Sequence, residues 1–363
     1  MSSPNEFPGV DTLSLAPLPF EQYALIIDAR SPHEFLEDHL PGAVNLPVVD
    51  DVEFAEVGIQ HKTDPHAAYL IGAQHSFRNL ATHTAALISR YKAEDRFLVY
   101  CFRGGKRSAL WAANLRLIGF TVDVVPGGWK HYRQWVRESL AALPQRFDYT
   151  VLCGPTNCGK TRLLQELARQ GEQVLDLETL ASHRGSLLGD LPGQPQPTQK
   201  HFDTLVLDVL RRFDPARPVW IEAESKKVGR LLVPEALSAA MRSAPTAHLS
   251  VAMAERVRLC REEYAHFAAD PQSMVARLAP LKPLVGGEEL AAWQAMAVEG
   301  RVDELFERLM TVHYDPAYSR STTREFGPGD AANRLHIDSL QPDALAATAR
   351  TMIASRPART PGP

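Results

Sequence analysis

The stretch Tyr149-Thr-Val-Leu-Cys-Gly-Pro-Thr-Asn-Cys-Gly-Lys-Thr161 decides the fold of the chain's second half. An apolar, β-branched run ends at a glycine, and two glycines bracket four residues before a lysine and a threonine. This G-x-x-x-x-G-K-[ST] spacing is typical of a loop whose backbone N–H groups surround a phosphate at a helix N-terminus. In such a loop the lysine reaches the distal phosphate, and the threonine holds Mg²⁺ if a metal is used. The residues expected to bind phosphate are Gly154, Asn157, Gly159, Lys160 and Thr161.

The residues on either side of this loop support the interpretation. Residues 149–153 have the pattern of a buried strand, and residues 162–169 repeat apolar side chains at helical spacing before Gly171. A glycine turn that binds nothing is the alternative, but such a turn requires neither a strand before it nor a helix after it. We therefore expect a phosphate-binding loop.

Length and composition predict an ordinary globular chain of about two domains, because 363 residues exceed the usual single-domain size and 45% of them are hydrophobic. The formal net charge of -4 argues against a protein that coats nucleic acid non-specifically, although it leaves a local basic face open. The sequence has no apolar run long enough to span a membrane and no basic segment followed by an apolar one at its start. We expect a cytoplasmic protein that does not contact a membrane.

The cysteines are too sparse for a disulfide framework and show no C-x-x-C metal spacing. One of them, Cys101, lies between a predicted strand over residues 96–100 and a predicted helix over residues 108–117. Glycines, cations and a helix N-terminus together favour a lowered thiol pKa, so Cys101 is a candidate nucleophile. The alternative is a small hydrophobic residue that caps the strand. The loop after Cys101 consists of Phe102, Arg103, Gly104, Gly105, Lys106 and Arg107.

The other elements expected before residue 144 are assigned from periodicity and from turn residues. Asp28 and Arg30 follow a strand and are most simply an ion pair that pins a loop. Residues 48–75 are polar and mixed, and no element is assigned to them. The expected strands cover residues 23–28 and 120–125, with a short strand within 39–47. A short helix is expected to start at Ser31-Pro32, and two further helices are expected over residues 79–92 and 131–143.

From residue 149 a β-α-β rhythm predicts a parallel sheet with helices on both faces. The polar, Pro- and Gly-rich insert over residues 181–200 is expected to be a functional loop. The third strand leads into Glu222, Glu224 and Ser225, where an acid would lie beside the phosphate loop and could bind Mg²⁺ through water; solvated charge is the alternative. The expected strands cover residues 149–153, 173–177, 218–223 and 248–253.

Helices are expected for the rest of the chain. Residues 254–264 are amphipathic, and the final hundred residues indicate helices interrupted at 313–318, with a disordered tail from Pro357. The expected domains are a lead-in over 1–20, a first domain over 21–143, a phosphate-loop domain over 144–325, and a C-terminal helix with a disordered tail over 326–363.

Four motifs in the first half resemble a rhodanese, or sulfurtransferase, domain over residues 20 to 140. They are Asp28-x-Arg30-x-Pro32-x-Glu34-Phe35, His39-Leu-Pro-Gly-Ala-x-Asn45-x-Pro47, the Cys101 loop, and Gly127-Gly128-Trp129. The fold class expected is α/β: an N-terminal rhodanese-like domain, then a P-loop parallel-sheet domain with a helical C-terminal region.

The second half adds motifs that make the whole chain, over about residues 20 to 325, resemble the tRNA 2-selenouridine synthases. These motifs are Arg184-Gly-Ser, Gly193-Gln-Pro-Gln-Pro-Thr-Gln199, Glu222-x-Glu224-Ser225-Lys226-x-x-Gly229 and Tyr314-Asp-Pro-x-Tyr318-x-x-Ser321. The resemblance implies an enzyme that replaces the sulfur of 2-thiouridine at the tRNA wobble position by selenium from selenophosphate. It also implies a geranylated 2-thiouridine intermediate made from geranyl diphosphate.

The resemblance also implies roles for the two loops. Cys101 would match the cysteine required for the selenium step, and the phosphate loop would bind the diphosphate substrate rather than hydrolyse ATP. No tightly bound cofactor is implied, a need for Mg²⁺ stays open, and the partners are tRNA and the enzyme that produces selenophosphate. The chain departs from the family at Cys158, where relatives tend to have a small or glycine residue, and this places a second thiol beside the anion site.

A net acidic chain needs a local basic surface to bind tRNA. Any single candidate is also explained as a solvated charge. The candidates for this surface, besides the cations of the Cys101 loop, are Lys130, Arg133, Arg184, Lys226, Lys227 and Arg230.

Two other classes of protein compete with this interpretation. The segment from Cys101 to Ser108 also matches the C-x-x-G-x-x-R-[ST] pattern of protein phosphatases, although Tyr100 replaces the histidine usual before that cysteine. The second alternative is a P-loop kinase or NTPase with a rhodanese- or phosphatase-like cysteine domain that serves only for binding. It predicts ATP turnover that does not depend on Cys101.

Overall fold

The computed structural model describes residues 19–327 and 334–355. The chain divides into two compact units: unit 1 is Met1–Leu143 with Pro197–Arg212, and unit 2 is Pro144–Gln196 with Phe213–Pro363. All but the last two residues of the expected lead-in lie outside the described residues, and so does the tail expected from Pro357.

Within the described residues the strands are β1 (Leu25–Asp28), β2 (Ala43–Asn45), β3 (Arg96–Tyr100), β4 (Thr121–Val124), β5 (Tyr149–Cys153), β6 (Gln173–Leu175), β7 (Val219–Glu222), β8 (Lys227–Val228), β9 (Leu231–Leu232), β10 (Thr246–Val251) and β11 (Arg334–Ile337). The helices are α1 (Pro32–Glu37), α2 (Asp51–Thr63), α3 (Pro65–Ala86), α4 (Lys106–Ile118), α5 (Gly128–Ala142), α6 (Lys160–Arg169), α7 (Leu177–Ala181), α8 (Gln199–Leu210), α9 (Glu235–Arg242), α10 (Met253–Glu263), α11 (Ala265–Ala269), α12 (Pro271–Arg277), α13 (Lys282–Val285), α14 (Gly287–Val298), α15 (Val302–Leu309), α16 (Asp315–Phe326) and α17 (Pro342–Ala354).

Unit 1 is built on a parallel sheet in the order β2-β1-β3-β4. Its apolar core includes Ile27 from β1, Val99 from β3 and Trp111 from α4, each fully buried. Because the carboxyl ends of parallel strands meet at one edge of a sheet, Asp28 at the end of β1 and Cys101 just after β3 lie at the same edge. The expected strands of this half are confirmed.

The ion pair expected between Asp28 and Arg30 is confirmed. Their side chains are 2.6 Å apart at the closest N–O distance and are at most 1% exposed. The Tyr100 hydroxyl donates to the same carboxylate at 2.6 Å, and the guanidinium lies 4.9 Å from the centre of the Trp129 ring. The pair thus joins β1, β3 and α5, and loss of either charge would leave the other buried without its partner.

Residues 48–75, to which the sequence analysis assigns no element, form α2 and the first half of α3. Helix α3 begins at Pro65 and ends at Ala86, whereas the pattern predicts residues 79–92. The start signals are local: Asp50 caps α2 in a capping box with Glu53, and the Asp64 side chain caps α3 just before Pro65. Exposed apolar residues on these helices weaken the periodicity that sequence analysis depends on.

Helix α8 follows the polar insert in the sequence, yet it packs in unit 1. Arg133 on α5 donates to the carbonyl of Lys200 at 2.8 Å and to the carboxylate of Asp203 at 3.0 Å. Arg133 is 7% exposed, and Asp38 lies 3.5 Å from its guanidinium. These contacts hold α8 against α5, so the placement of Arg133 does not support the tRNA contact expected from the sequence.

Unit 2 contains a parallel sheet in the order β11-β10-β5-β7-β6. The four strands expected from the sequence are confirmed within two residues at either end. Strand β11 lies in the region expected to be entirely helical, which corrects that prediction: only four residues, Arg-Leu-His-Ile, pair with β10, too few for a clear period. Strand β5 is central, so the phosphate loop starts between β10 and β7.

The helices after β10 form a second core in unit 2, in which Met274, Trp293 and Leu305 are fully buried. The interruption expected at residues 313–318 is wrong. The backbone runs from α15 through a π-helical turn at Met310–Tyr314 directly into α16. Pro316 causes no break because it lies in the first turn of α16, where proline is tolerated.

Candidate functional sites

The Cys101 site of unit 1 lies between β3 and α4. Cys101 is 3% exposed, and its Sγ accepts a hydrogen bond from the backbone N–H of Gly105 at 3.2 Å. Ser108 Oγ lies 3.2 Å from Sγ and 3.1 Å from the Gly105 carbonyl. The serine has a single hydroxyl proton, and a thiolate is the stronger acceptor for it.

Hydrogen bonds set the charge state of this thiol. Burial raises the pKa of Cys101, but the Ser108 side chain and the backbone N–H groups of Ser108, Gly105 and Arg103 lower it, and the net pKa lies below the ordinary value. The lowered pKa expected from the sequence is therefore present, with donors to sulfur as its cause. Ser108 is a functional residue that the sequence analysis did not select, although it completes the C-x-x-G-x-x-R-[ST] pattern.

The cations of the Cys101 loop have other partners. Lys106 Nζ lies 3.7 Å from the centre of the Tyr69 ring, and Arg107 pairs with Glu34. The guanidinium of Arg103 lies over the ring of Phe102. The hydrogen bonds at Sγ come from backbone N–H groups and the Ser108 hydroxyl rather than from these charged side chains. The cations therefore fix the loop to α1 and α3 or remain available to an incoming anion.

The Gly127-Gly128-Trp129 motif lies directly against the Cys101 loop. Trp129 donates its backbone N–H to the Cys101 carbonyl at 2.9 Å. Gly128 has φ +59°, and a Cβ on it would lie 2.2 Å from that same carbonyl oxygen. Both the conformation and the close approach require glycine, which explains why this motif accompanies the cysteine.

The phosphate loop of unit 2 joins β5 to α6. Asn157 has the left-handed φ +58°, and Gly159 has φ +82°, a conformation that favours glycine. A Cβ on Gly159 would lie 2.7 Å from the end of the Leu340 side chain, which would have to shift. Cys158 is fully buried, and its Sγ would lie 2.6 Å from a Cβ on Gly154. The second thiol is thus packed inside the loop rather than presented to the anion site.

Lys160 is held by its own loop. Its Nζ donates to the carbonyls of Gly154 and Pro155 at 2.9 and 3.3 Å and lies 4.8 Å from the centre of the Tyr318 ring. Burial lowers the pKa of Lys160, but the neighbouring groups, including the carboxyls of Glu178 and Glu222, outweigh burial and raise it. Lys160 is therefore a permanent cation at neutral pH.

Three carboxyl groups converge beside Lys160 and Thr161. Oxygen atoms of Glu178, Glu222 and Glu224 all lie within 4.8 Å of one another, and the Thr161 hydroxyl is 3.1 Å from Glu178. Burial raises the pKa of all three carboxyls, and repulsion by Glu178 raises the pKa of Glu222 and Glu224 further, whereas Lys160 and Thr161 oppose the rise at Glu178. Oxygen ligands of this kind suit Mg²⁺, which would also relieve the repulsion.

Glu178 is the second residue that the sequence analysis missed. It lies on α7, just after β6, and its backbone N–H donates to Glu222 at 3.1 Å. The signal that could have found it is its place after the strand next to β7, because carboxyl ends of neighbouring parallel strands meet. Ser225, expected to support the site, follows Glu224 on the same side of the cavity.

A cavity of about 340 Å³ opens beside the phosphate loop. Its walls include the loop itself, the polar insert with Arg184 to Leu187, and α16 with Tyr318. Glu178 of α7, the residues after β7 and part of α10 also contribute to the lining. Tyr318 accepts a hydrogen bond from the backbone N–H of Gly154 at 3.0 Å, so the C-terminal helical region reaches the first glycine of the loop. The amino-acid sequence alone does not assign a function to this C-terminal helical region.

The remaining basic candidates are exposed. Lys130 lies on α5 in unit 1, and Lys226, Lys227 and Arg230 lie on and beside the β8–β9 hairpin in unit 2. Arg230 donates to the carbonyl of Gln196, whereas Arg184 lines the cavity and is half-buried. Two of the six candidates, Lys130 and Arg133, therefore belong to unit 1, and the other four belong to unit 2.

A cysteine loop on one parallel sheet and a phosphate loop with an acidic cluster on another define a two-unit α/β protein of the rhodanese and P-loop types. The sequence matches the rhodanese-like domain family over residues 16–134 and the family described as the tRNA 2-selenouridine synthase AAA domain over residues 147–278. No helix among residues 19–327 and 334–355 is long and apolar enough to cross a membrane.

Relatives match across both units. A tRNA 2-selenouridine synthase of Nitrosomonas europaea is 32% identical over 277 residues, covering 74% of this chain and 71% of the relative. Those of Marinobacter nauticus and Cupriavidus necator are 30% and 32% identical, covering 83% and 81% of this chain and 89% and 87% of the relatives. The chain belongs to the tRNA 2-selenouridine synthase family.

Proposed function

We propose that the protein modifies the wobble uridine of tRNA in two steps. In unit 2, geranyl diphosphate alkylates the sulfur of 2-thiouridine. In unit 1, selenium from selenophosphate then replaces the geranylated sulfur with the help of Cys101. The observation that supports the proposal is that each unit places a candidate anion-binding loop after a strand of a parallel sheet, so that two consecutive transfers could each use a loop of their own.

The phosphate loop suits the first step. The thiocarbonyl sulfur attacks C1 of the geranyl group, the C1–O bond breaks with its electron pair leaving on diphosphate, and the N3 proton of the thiouracil ring goes to water. Backbone N–H groups of the loop and the permanent charge of Lys160 would hold the diphosphate and stabilise it as it leaves. The product is a thioether whose carbon is open to displacement.

The Cys101 site suits the second step. Geranyl thiol is a better leaving group than the sulfur of a thiocarbonyl, so selenium can enter at C2. For the step as a whole, water takes the phosphoryl group of selenophosphate, selenium bonds to C2, N3 regains a proton, and geranyl thiol departs. The donors that stabilise sulfur as an anion at Cys101 would also stabilise a selenium-bearing anion.

Mg²⁺ could assist the first step by binding beside the diphosphate. Thr161 with Glu178, Glu222 and Glu224 would hold it, either directly or through water, and the ion would neutralise charge on the diphosphate. The protein's partners in this proposal are tRNA with 2-thiouridine at the wobble position and the enzyme that supplies selenophosphate. The reaction takes place in the cytoplasm, where the tRNA substrate is found.

The test is mass spectrometry of wobble nucleosides from cells that lack the gene, with and without selenium. The expected result is loss of both 2-selenouridine and geranylated 2-thiouridine, restored by the gene. A strain that keeps both nucleosides would contradict the proposal.

The acidic cluster beside Lys160 would also suit Mg²⁺–ATP, which keeps a P-loop kinase or NTPase as a second candidate function. The purified protein distinguishes the two. The proposal predicts geranyl transfer from geranyl diphosphate without ATP turnover, whereas the alternative predicts ATP turnover that continues in Cys101→Ser.

A further inference from the structure

Arg184 lines the cavity of unit 2 and has a buried donor without a described partner. This donor is Nη1, which has no hydrogen-bond partner among the residues that the structure describes. An unpaired buried donor of a charged group is costly, and in a native structure it requires an explanation such as a bound ion or a catalytic role. Arg184 lines the same cavity as Lys160 and Thr161.

Neighbouring groups restrict the position of the guanidinium. Its central carbon lies 4.9 Å from the centre of the Tyr264 ring, a cation–π contact. The backbone around it is a compact turn, because Arg184 donates its N–H to the Gly189 carbonyl at 2.9 Å and Gly189 donates to the Ser186 carbonyl at 2.9 Å. Gly185 follows in left-handed conformation, where a Cβ would lie 3.1 Å from carboxyl oxygens of Glu178 and Glu224.

The other cations of the cavity are already engaged. Lys160 donates to two loop carbonyls, and Arg162 pairs with Glu262 and Glu263 at 2.9 and 3.2 Å. Arg184 is the lining cation whose buried donor lacks a described partner. A planar guanidinium also matches two phosphate oxygens at once, which an ammonium group does not.

We propose that Arg184 binds the second phosphate of the diphosphate substrate, the one that the loop from Gly154 to Thr161 does not hold. The inference rests on the proposed function and deepens it: the site recognises a diphosphate by two separate cations, and Arg184 stabilises the charge that gathers on the diphosphate as the C1–O bond breaks. It replaces the tRNA contact expected for this residue from the sequence.

Binding of two inorganic ions to the full-length protein tests the subsite without geranyl chemistry. Calorimetry with inorganic diphosphate and inorganic phosphate is run on the native protein, Arg184→Gln, Arg184→Lys, Lys160→Ala and, as a matched control, Arg277→Gln. Arg277 is an exposed arginine outside the cavity lining that pairs with Asp190. Arg184→Gln should weaken diphosphate about 10- to 100-fold and leave phosphate unchanged. Lys160→Ala should weaken both ions.

Unchanged phosphate binding by Arg184→Gln also shows that the variant is folded. Arg184→Lys should recover only part of the diphosphate affinity. The lysine keeps the positive charge but lacks the planar guanidinium that donates two parallel hydrogen bonds to phosphate. Equal weakening of both ions, or no weakening of either, overturns the proposal.

Kinetics then separate failure of this inference from failure of the proposed function. If the native protein makes no geranylated tRNA, the proposed function fails while the ion measurements still decide the subsite. If it does, Arg184→Gln should lower kcat about 100-fold with the KM for tRNA unchanged, because the contact strengthens as the leaving group gains charge. A raised KM for tRNA with unaltered kcat would return Arg184 to the tRNA-binding surface.

Discussion

The Cys101 loop of unit 1 and the phosphate loop of unit 2 each connect a parallel strand to the helix that follows it. They differ in the groups around the site, which are uncharged hydrogen-bond donors in the first loop and charged side chains in the second. Each follows a parallel strand, precedes a helix and contains glycine in left-handed conformation, at Gly104 in one and Gly159 in the other. Around Cys101 Sγ the donors are backbone N–H groups and the Ser108 hydroxyl, none of which carries a full charge. In the phosphate loop, the charged Lys160 and an acidic cluster line the site itself.

This difference follows from what each loop has to bind. A thiolate is a single, compact anion, and two or three directed hydrogen bonds are enough to lower its pKa. A diphosphate carries several charges that increase on the leaving group during transfer, so it requires full cations and, in the proposal, a metal. We therefore expect hydrogen-bond donors to determine reactivity at Cys101 and charged groups to determine diphosphate binding at the phosphate loop.

The largest expected effect is that of Cys101→Ser. Selenation should fall on the order of a thousandfold or more, since the reactive sulfur is gone, while geranylation continues at the native rate. Both activities are measured by mass spectrometry of wobble nucleosides after reaction with purified 2-thiouridine tRNA. Cys260→Ala is the control, because burial raises the pKa of that thiol to about 12 and leaves it unreactive. Selenation at the native rate in Cys101→Ser would remove the cysteine from the mechanism.

The second-largest loss of activity is expected for Lys160→Ala. Geranylation should fall about a hundred- to a thousandfold, because a preorganised cation at the leaving diphosphate is removed. Selenation of unmodified 2-thiouridine tRNA should fall with it, and supplying geranylated tRNA should restore selenation. If geranylated tRNA does not rescue the variant, the phosphate loop serves both steps and the separation of the two loops is wrong.

Ser108→Ala should have a smaller effect, confined to unit 1. Removing the hydroxyl donor should raise the pKa of Cys101, because a hydrogen bond to the charged form of the thiol is lost. The thiolate fraction at neutral pH then falls, and the rate of alkylation by iodoacetamide should reach its midpoint at higher pH than in the native protein. Ser89→Ala, an exposed serine, is the control, and Cys101→Ser gives the background. An unshifted midpoint would mean that the backbone donors alone set this pKa.

Much of this architecture can be predicted from sequence where the signal is local. Residues 149–153 have a strong strand pattern, which leads directly into the phosphate loop. Glycine also occupies two positions with positive φ, Gly128 beside the Cys101 loop and Gly159 in the phosphate loop. Both loops can therefore be recognised from the amino-acid sequence alone. Helix α2 was missed although Asp50 and Glu53 form a capping box, because its apolar residues do not lie on one face.

What sequence could not show depends on contacts between distant segments. Glu178 joins the acidic cluster only because β6 lies beside β7, and Tyr318 reaches Gly154 across 164 positions of sequence. Arg133 and Arg184 carry the same charge in the sequence, yet one is bonded to α8 and the other lines a cavity. Burial and partner choice, which decide between a structural and a binding arginine, are properties of the fold.

The smallest expected effect concerns tRNA binding by Lys226 and Lys227, both exposed at the β8–β9 hairpin. A net charge of -4 gives no general attraction for a polyanion, so local cations must release counterions from the phosphate backbone. Removing one lysine that binds a phosphate lowers the steepness of log K against log salt by about one unit. The double variant Lys226→Ala with Lys227→Ala should therefore flatten that slope by about one to two units. Filter binding of 2-thiouridine tRNA over a salt series measures it, with Lys92→Ala and Lys282→Ala, two other exposed lysines, combined as the control. An unchanged slope would exclude the hairpin from the tRNA path and leave the helical C-terminal region as the surface to test next.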